Sequence, residues 1–294
     1  MASPAHSLHR PILFIDVQHG LCNRLRAMAS AAALAAATDR QMVVIWRPDH
    51  HCEARIGDLL RYTGPVIEDD AAEWYRARSG LVYNYMEVEP GAQFEAPILA
   101  GDEAQYRGDL YIRSAYPLSS PHLKMGVARD FLRQLVPTIP VLDMVRRVRH
   151  PNDIALHIRM QRGRGYEHLP HEAVSNWPAH RHQELAAWRE KTHRDNFIRR
   201  VDALVSEGAG QTMFLAADTP DTYAAFAERY GDRVAWLDRD MFDRSPKQLQ
   251  YALADLLWLT AARHFLGSPW SSFTDVAQQL ARPGRPFERS GRDF

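Results

Sequence analysis

Residues 251–280 read YALADLLWLTAARHFLGSPWSSFTDVAQQL. Ala252, Leu253, Leu256, Leu257, Leu259 and Ala261 make a strongly apolar helix interrupted by one acid, Asp255. His264-Phe265-Leu266 is an apolar run of strand length, and Gly267 and Pro269 then turn the chain. Val276, Ala277 and Leu280 recur at helical spacing behind Ser271, Ser272 and Thr274. Helix, strand, tight turn and helix in that order belong to an α/β sheet. The turn delivers hydroxyls to the opening of the last helix. Free backbone N–H groups and the positive end of the helix dipole make such an opening an anion site. Ser271 or Ser272 taken alone reads equally as a helix cap.

The same alternation opens the chain. Ile12 to Val17 (ILFIDV) has the continuous apolar character of a strand buried on both faces. Gln18-His19-Gly20 turns into an alanine-dense helix reaching about Ala37, and Met42 to Trp46 (MVVIW) is the next strand. Ligands of such βαβ units bind beyond the carboxyl ends of the strands. Asn23, Arg24 and Arg26, in the first helical turn, are therefore placed to meet something anionic or sugar-like, or else form a polar turn facing water. The turn lacks the full G-x-G-x-x-G dinucleotide fingerprint. His50, His51 and Cys52 are adjacent without a spaced second pair, which is poor zinc geometry, and no metal site is expected.

Strands are also expected over 81–86 and 109–113, and helices over 123–135 and 141–149. Asp153 to His157 (DIALH) begins a second series, ending in Ile158-Arg159 and an Arg-rich loop with Arg162 and Arg164. A strand end carrying His-x-Arg before such a loop suits a diphosphate, since guanidinium forks bind phosphate oxygens in pairs. Arg159 is otherwise a surface ion-pair residue, and His157 a satisfied core histidine. Residues 167–194 read as a long polar connection, the kind that serves as a lid or acceptor-binding segment or else is disordered. A helix over 195–205, the strand Thr212 to Ala216 ending in Ala217-Asp218-Thr219-Pro220, a helix to Tyr230 and a strand at 234–237 complete the series. The pattern gives an α/β protein of two Rossmann-like domains facing each other across a cleft, 1–145 and 146–294.

With 294 residues, the chain is long enough for two domains at about 150 each. Its 36 basic and 36 acidic residues leave no net charge, against a general nucleic-acid binder. The basic residues are arginines except Lys124, Lys191 and Lys247. Cys22 and Cys52 are too few for a disulfide framework, which fits a reducing compartment. No run of about 18 apolar residues predicts a membrane span, and the first residues lack the apolar segment of a signal peptide. A cytoplasmic location is the expectation.

Four segments, GLCNRLRAMASA, HIR, FLAADTP and ALADLLWLTAARHFLGSPWSSFTDVA, together resemble the GDP-fucose-dependent fucosyltransferases of the nodulation α1,6 type and the protein O-fucosyltransferases. The resemblance covers nearly the whole chain. It implies a GT-B fold and an inverting, metal-independent transfer, without a bound cofactor, from GDP-fucose to a glycan or saccharide acceptor. It also implies roles. Arg159 would bind the β-phosphate and fucosyl oxygen, with His157 its motif partner. Asp218 would lie near the nucleoside and Asp255 near the donor. Ser271, Ser272 and Phe273 would hold the diphosphate, and Asn23 would face the sugar, with Arg24 and Arg162 adding positive charge. Glu167 stands where the α1,6 enzymes carry a catalytic glutamate; Asp16 and His19 compete for the role of base. The chain departs from the pattern at Met160 and Arg162, where those enzymes have a second arginine and an acid, and at Cys22, where glycine is usual. It looks like a compact bacterial cytoplasmic version. A different nucleotide-sugar donor and a catalytically silent sugar- or nucleotide-binding protein are the alternatives.

Overall fold

The computed structural model describes residues 10–148, 152–160 and 179–294. Two compact units divide the chain: one runs through Pro48 and resumes over Tyr62–Leu135, and the other comprises Asp49–Arg61 and Val136–Phe294. Residues 49–61 and 136–145 thus pack with the second unit, where a single cut near 145 would place them in the first.

The first unit is built on β1 (Ile12–Val17), α1 (Leu21–Ala37) and β2 (Gln41–Ile45). The short helix α2 (Ile56–Leu59) belongs to the second unit. The first unit then continues with β3 (Val66–Ile67), α3 (Ala71–Arg78), β4 (Leu81–Asn84), β5 (Leu110–Ser114) and α4 (Met125–Gln134). Its sheet has the order β3-β2-β1-β5-β4, every pairing parallel. With a neighbour on each edge, β1 is nearly all buried, which is why its sequence is an apolar run rather than an alternation. The small side chains Ala27, Ala29, Ala31, Ala33 and Ala35 let α1 bury most of its circumference.

The second unit carries α5 (Ile139–Val145), β6 (Ile154–Ile158), α6 (Ala179–Lys191), α7 (Arg194–Ser206), β7 (Met213–Ala217) and α8 (Pro220–Tyr230). It closes with β8 (Val234–Ala235), α9 (Pro246–Ala261), β9 (His264–Gly267), α10 (Ser272–Leu280) and β10 (Phe287–Arg289). The order is β10-β9-β6-β7-β8, again all parallel. Leu156, Ile158, Phe197, Val201, Leu215, Phe226 and Leu266 form its core between strands and helices. The α/β class with two Rossmann-like sheets stands as expected.

Corrections concern short or polar elements. Residues 179–191 form α6, not a connection; its weak apolar content hides a helix whose residues are all partly or fully exposed. The α5 helix starts earlier than expected because Pro140 occupies its first turn, where a missing N–H costs nothing. β3, α3 and β10 had no periodic signal of their own. Arg162, Arg164 and Glu167 lie outside the described residues.

Candidate functional site

In each sheet the chain order reverses beside the first strand of the unit: β1 lies between β2 and β5, and β6 between β7 and β9. Open α/β sheets bind ligands at such points, beyond the strand ends. His157, Arg159 and Gly267 meet at the reversal in the second unit, where His157 pairs with Gly267.

Side chains fix this junction closely. The buried Ser268 hydroxyl donates to the His157 carbonyl at 2.9 Å and accepts the Arg159 N–H at 2.8 Å. The Thr192 hydroxyl, on the other side, donates to the Arg159 carbonyl at 2.5 Å. Asp218, just past β7, accepts the Met160 N–H at 3.0 Å. The backbone of Arg159 is therefore clamped on both sides.

Gly267 allows α10 to approach. A Cβ there would stand 2.4 Å from Thr274 Cγ2. With that space open, Thr274 Oγ1 reaches His157 Nδ1 at 2.7 Å, and Phe273 stacks on the imidazole with centroids 4.9 Å apart. The Ser268-Pro269-Trp270 turn forces Trp270 to φ 48°, a left-handed conformation costly for a bulky residue. Ser271 occupies the N-cap position of α10 yet makes no capping hydrogen bond. Among the described residues neither the Ser271 nor the Ser272 hydroxyl has a hydrogen-bond partner. Both hydroxyls and the first N–H groups of α10 are thus unspent, which favours the anion-site reading over simple capping.

Burial, then Arg159 and Arg189, push His157 down to about 3 from its ordinary 6.5. The ring is neutral at physiological pH and supports the strand end without adding charge. Above pH 6.5 this group leaves stability untouched. Below 6.5 the unfolded chain takes up a proton that the folded chain refuses, so stability falls with pH down to about 3. One such proton amounts to about 1.4 kcal/mol per pH unit. Urea unfolding between pH 6.5 and 5 should show this slope, and His157→Gln should remove it; an equally steep variant would mean the ring is not held neutral.

Asp255, the lone acid of the apolar helix, is held in an ion pair. It is buried in α9, and both its oxygens accept from Arg239 Nη2, at 2.7 and 2.8 Å. Burial pulls Arg239 down, but the Asp255 charge outweighs this and holds it above the usual arginine value. Burial pushes Asp255 up and Arg239 pulls it back; the short double contact is that of an ionised pair. Arg239 also lies over the Tyr251 ring, 4.9 Å from its centroid.

The first unit holds a separate polar cluster at its own reversal point. Asp16 is buried and accepts from Gln18 (2.6 Å), Tyr111 (2.9 Å), Arg47 (3.2 Å) and Arg113 (3.3 Å). Arg113 continues to Glu89 in a bidentate pair, and burial is outweighed by Glu89 and Asp16 in raising its pKa. Three of these donors meet Oδ2, and Gln18 alone meets Oδ1. Arg24 is wholly buried, donating to the carbonyls of His19 and Arg47 at 2.8 Å each and lying over Trp46. It ties the turn after β1 to the end of β2. The Asn23 side chain, one residue earlier, has no hydrogen-bond partner among the described residues. His50 and His51 have ring centroids 3.9 Å apart, and among the described residues no group of three His, Cys, Asp or Glu is placed to hold a metal.

Sequence reasoning missed Thr192, Arg189, Arg239 and Arg244. The three arginines sit in polar sequence where a structural and a functional cation look alike, and Thr192 is one hydroxyl in the same kind of sequence; the one local mark is the Ser245-Pro246 helix start that follows Arg244.

No protein-family model matches the chain, and no curated protein matches it by sequence. Solved structures match in fold. A NodZ alpha-1,6-fucosyltransferase soaked with GDP-fucose aligns over 92% of this chain and 93% of its own, with 14% identity and a TM-score of 0.58. The fucosyltransferase NodZ from Bradyrhizobium aligns over 92% and 94%, with 14% identity and a TM-score of 0.59. POFUT1 in complex with GDP-fucose aligns over 98% and 99%, with 14% identity and a TM-score of 0.56. The chain shares the α/β fold of these fucosyltransferase structures, the GT-B fold implied by the four motifs.

Proposed function

We propose that this protein is an inverting, metal-independent glycosyltransferase that moves fucose from GDP-fucose onto a hydroxyl of a glycan or related acceptor. The observation that carries the reading is the end of β6, where Arg159 is clamped beside the unspent hydroxyls and amides that open α10. Neighbours in fold whose solved forms hold GDP-fucose support the choice of donor.

As the glycosidic bond breaks, negative charge grows on the β-phosphate of the departing GDP. Arg159, Ser271, Ser272 and the α10 amides meet that charge with donors fixed in advance. His157 and Phe273 stack behind them, and Asp218 is assigned to the nucleoside. The second unit is assigned the donor and the first the acceptor, and Asn23 is assigned to the sugar. Inversion follows from a single displacement, in which the acceptor hydroxyl attacks the anomeric carbon and a base removes its proton. Glu167 is assigned that role, with Asp16 and His19 as the competing candidates. Arg162 is assigned added positive charge toward the donor. The free, buried Cys22 and Cys52 fit a reducing bacterial cytoplasm; among the described residues no helix is long and apolar enough to cross a membrane.

Thermal melts against GDP, UDP, ADP and GDP-fucose test the reading. A ligand at a hundred times its Kd adds about 2.7 kcal/mol, which raises Tm by roughly 5–10 °C for a protein of this size class. GDP and GDP-fucose should produce that rise. A larger response to UDP or ADP would reassign the donor, and GDP binding without transfer to any glycan would make the protein a silent binder.

A further inference from the structure

Two arginines outside every motif share the ground at the end of β6. Arg189 lies in the last turn of α6, and Arg244 in the loop before α9. A single buried hydroxyl, Thr192 Oγ1, donates to the carbonyls of both Arg159 and Arg189, at 2.5 and 2.9 Å. The backbones of both arginines are therefore tied to one threonine. Arg244 is held by its own carbonyl, which accepts the Glu53 N–H at 3.1 Å, and its guanidinium is within electrostatic reach of Arg159 and Asp218.

Arg189 Nη1 and Arg244 Nε are buried, and neither has a hydrogen-bond partner among the described residues. Asp218 is the one carboxylate acting on both. Asp243 acts on Arg244 alone, and it already accepts from the Ser245 N–H and hydroxyl. Burial first, and then Arg159, pull Arg189 down to about 9 and Arg244 down to about 10. Two buried cationic donors without a hydrogen-bond partner among the described residues are an arrangement that folding alone disfavours. Its chemistry suits a ligand bearing several negative charges on tetrahedral oxygens, which guanidinium forks grip in pairs.

We infer that Arg189 and Arg244 are binding residues which, with Arg159, receive the two phosphates of a nucleoside diphosphate. This rests on the donor reading above. The donor's charge then completes the site, so the residues that hold the ligand are the same ones that destabilise the empty protein.

The experiment is calorimetric titration of full-length Arg189→Gln, Arg244→Gln and wild type with GDP and with inorganic pyrophosphate, alongside ligand-free melts. Each variant should lose roughly tenfold to hundredfold in affinity for both ligands, the range for one charge-assisted contact. Its ligand-free Tm should hold or rise, because a buried like charge has gone. That second readout separates binding residues from structural ones. Affinities equal to wild type would overturn the inference, as would a ligand-free Tm lowered by about 5 °C or more, the scale of a lost structural contact. If wild type binds pyrophosphate but not GDP, and the variants lose pyrophosphate, the nucleotide reading fails while the arginine cradle stands. If wild type binds neither, the cradle fails too.

Discussion

Arg159→Ala will lose nearly all GDP-fucose-dependent turnover while its melting temperature stays close to wild type. The two halves of this outcome come from different parts of one residue. What the fold uses is the backbone: the N–H bonds Ser268 and the carbonyl bonds Thr192. Alanine keeps both. The side chain stands in the field of two like charges, Arg189 and Arg244. The charge on the leaving phosphate loses its principal fixed partner. Losing one preorganised donor of this kind costs roughly 10²–10³ in kcat, about 3–4 kcal/mol. Arg159→Lys should recover part of the rate, because it keeps the charge and loses the fork. Steady-state kinetics with labelled donor and a calorimetric melt decide the matter. Normal turnover in the alanine variant would take Arg159 out of the mechanism; a collapsed Tm would make it a structural residue.

Asp255→Ala should behave in the opposite way, with a loss of stability of about 3–5 kcal/mol, the cost of leaving a buried partner charge alone. The stranded partner is Arg239, whose side chain is only 2% exposed against the 5% of Asp255. Arg239 keeps its contact to the Leu237 carbonyl and the Tyr251 ring, and neither carries a negative charge. Replacing the pair together, as Asp255→Leu with Arg239→Met, should restore much of the stability, since a well-packed apolar pair can match a buried ion pair. GDP affinity measured well below the variants' melting range should change little. A variant as stable as wild type but unable to bind GDP would return Asp255 to direct contact with the donor.

Much of this site is legible locally because its chemistry is local. The His157-Ile158-Arg159 strand end, the Asp218 strand end and the Ser271-Ser272 helix opening each announce themselves by a change from apolar run to polar turn. Buried parallel strands must be apolar, and the polar residues at their carboxyl ends are therefore conspicuous. Asp255 shows the limit of that logic. A lone acid in an apolar helix looks the same whether it faces a ligand or an arginine sixteen residues away, and only packing distinguishes the two. Asp16 and Arg24 were likewise read from position alone, and each is buried and bonded to partners from the turn after β1, from β5 or from Arg47 just past β2.

Sequence by itself therefore determined the α/β class, the two series of strands and the residues at the strand ends, because burial and helix periodicity act over a few neighbouring residues. Tertiary structure decided the rest. Strand order brings Gly267 beside His157 across more than a hundred residues, Thr192 joins Arg159 to Arg189, and Arg244 reaches the same ground from the loop before α9. Which cations share a site depends on long-range strand pairing and helix packing, and no local pattern of charge records those contacts.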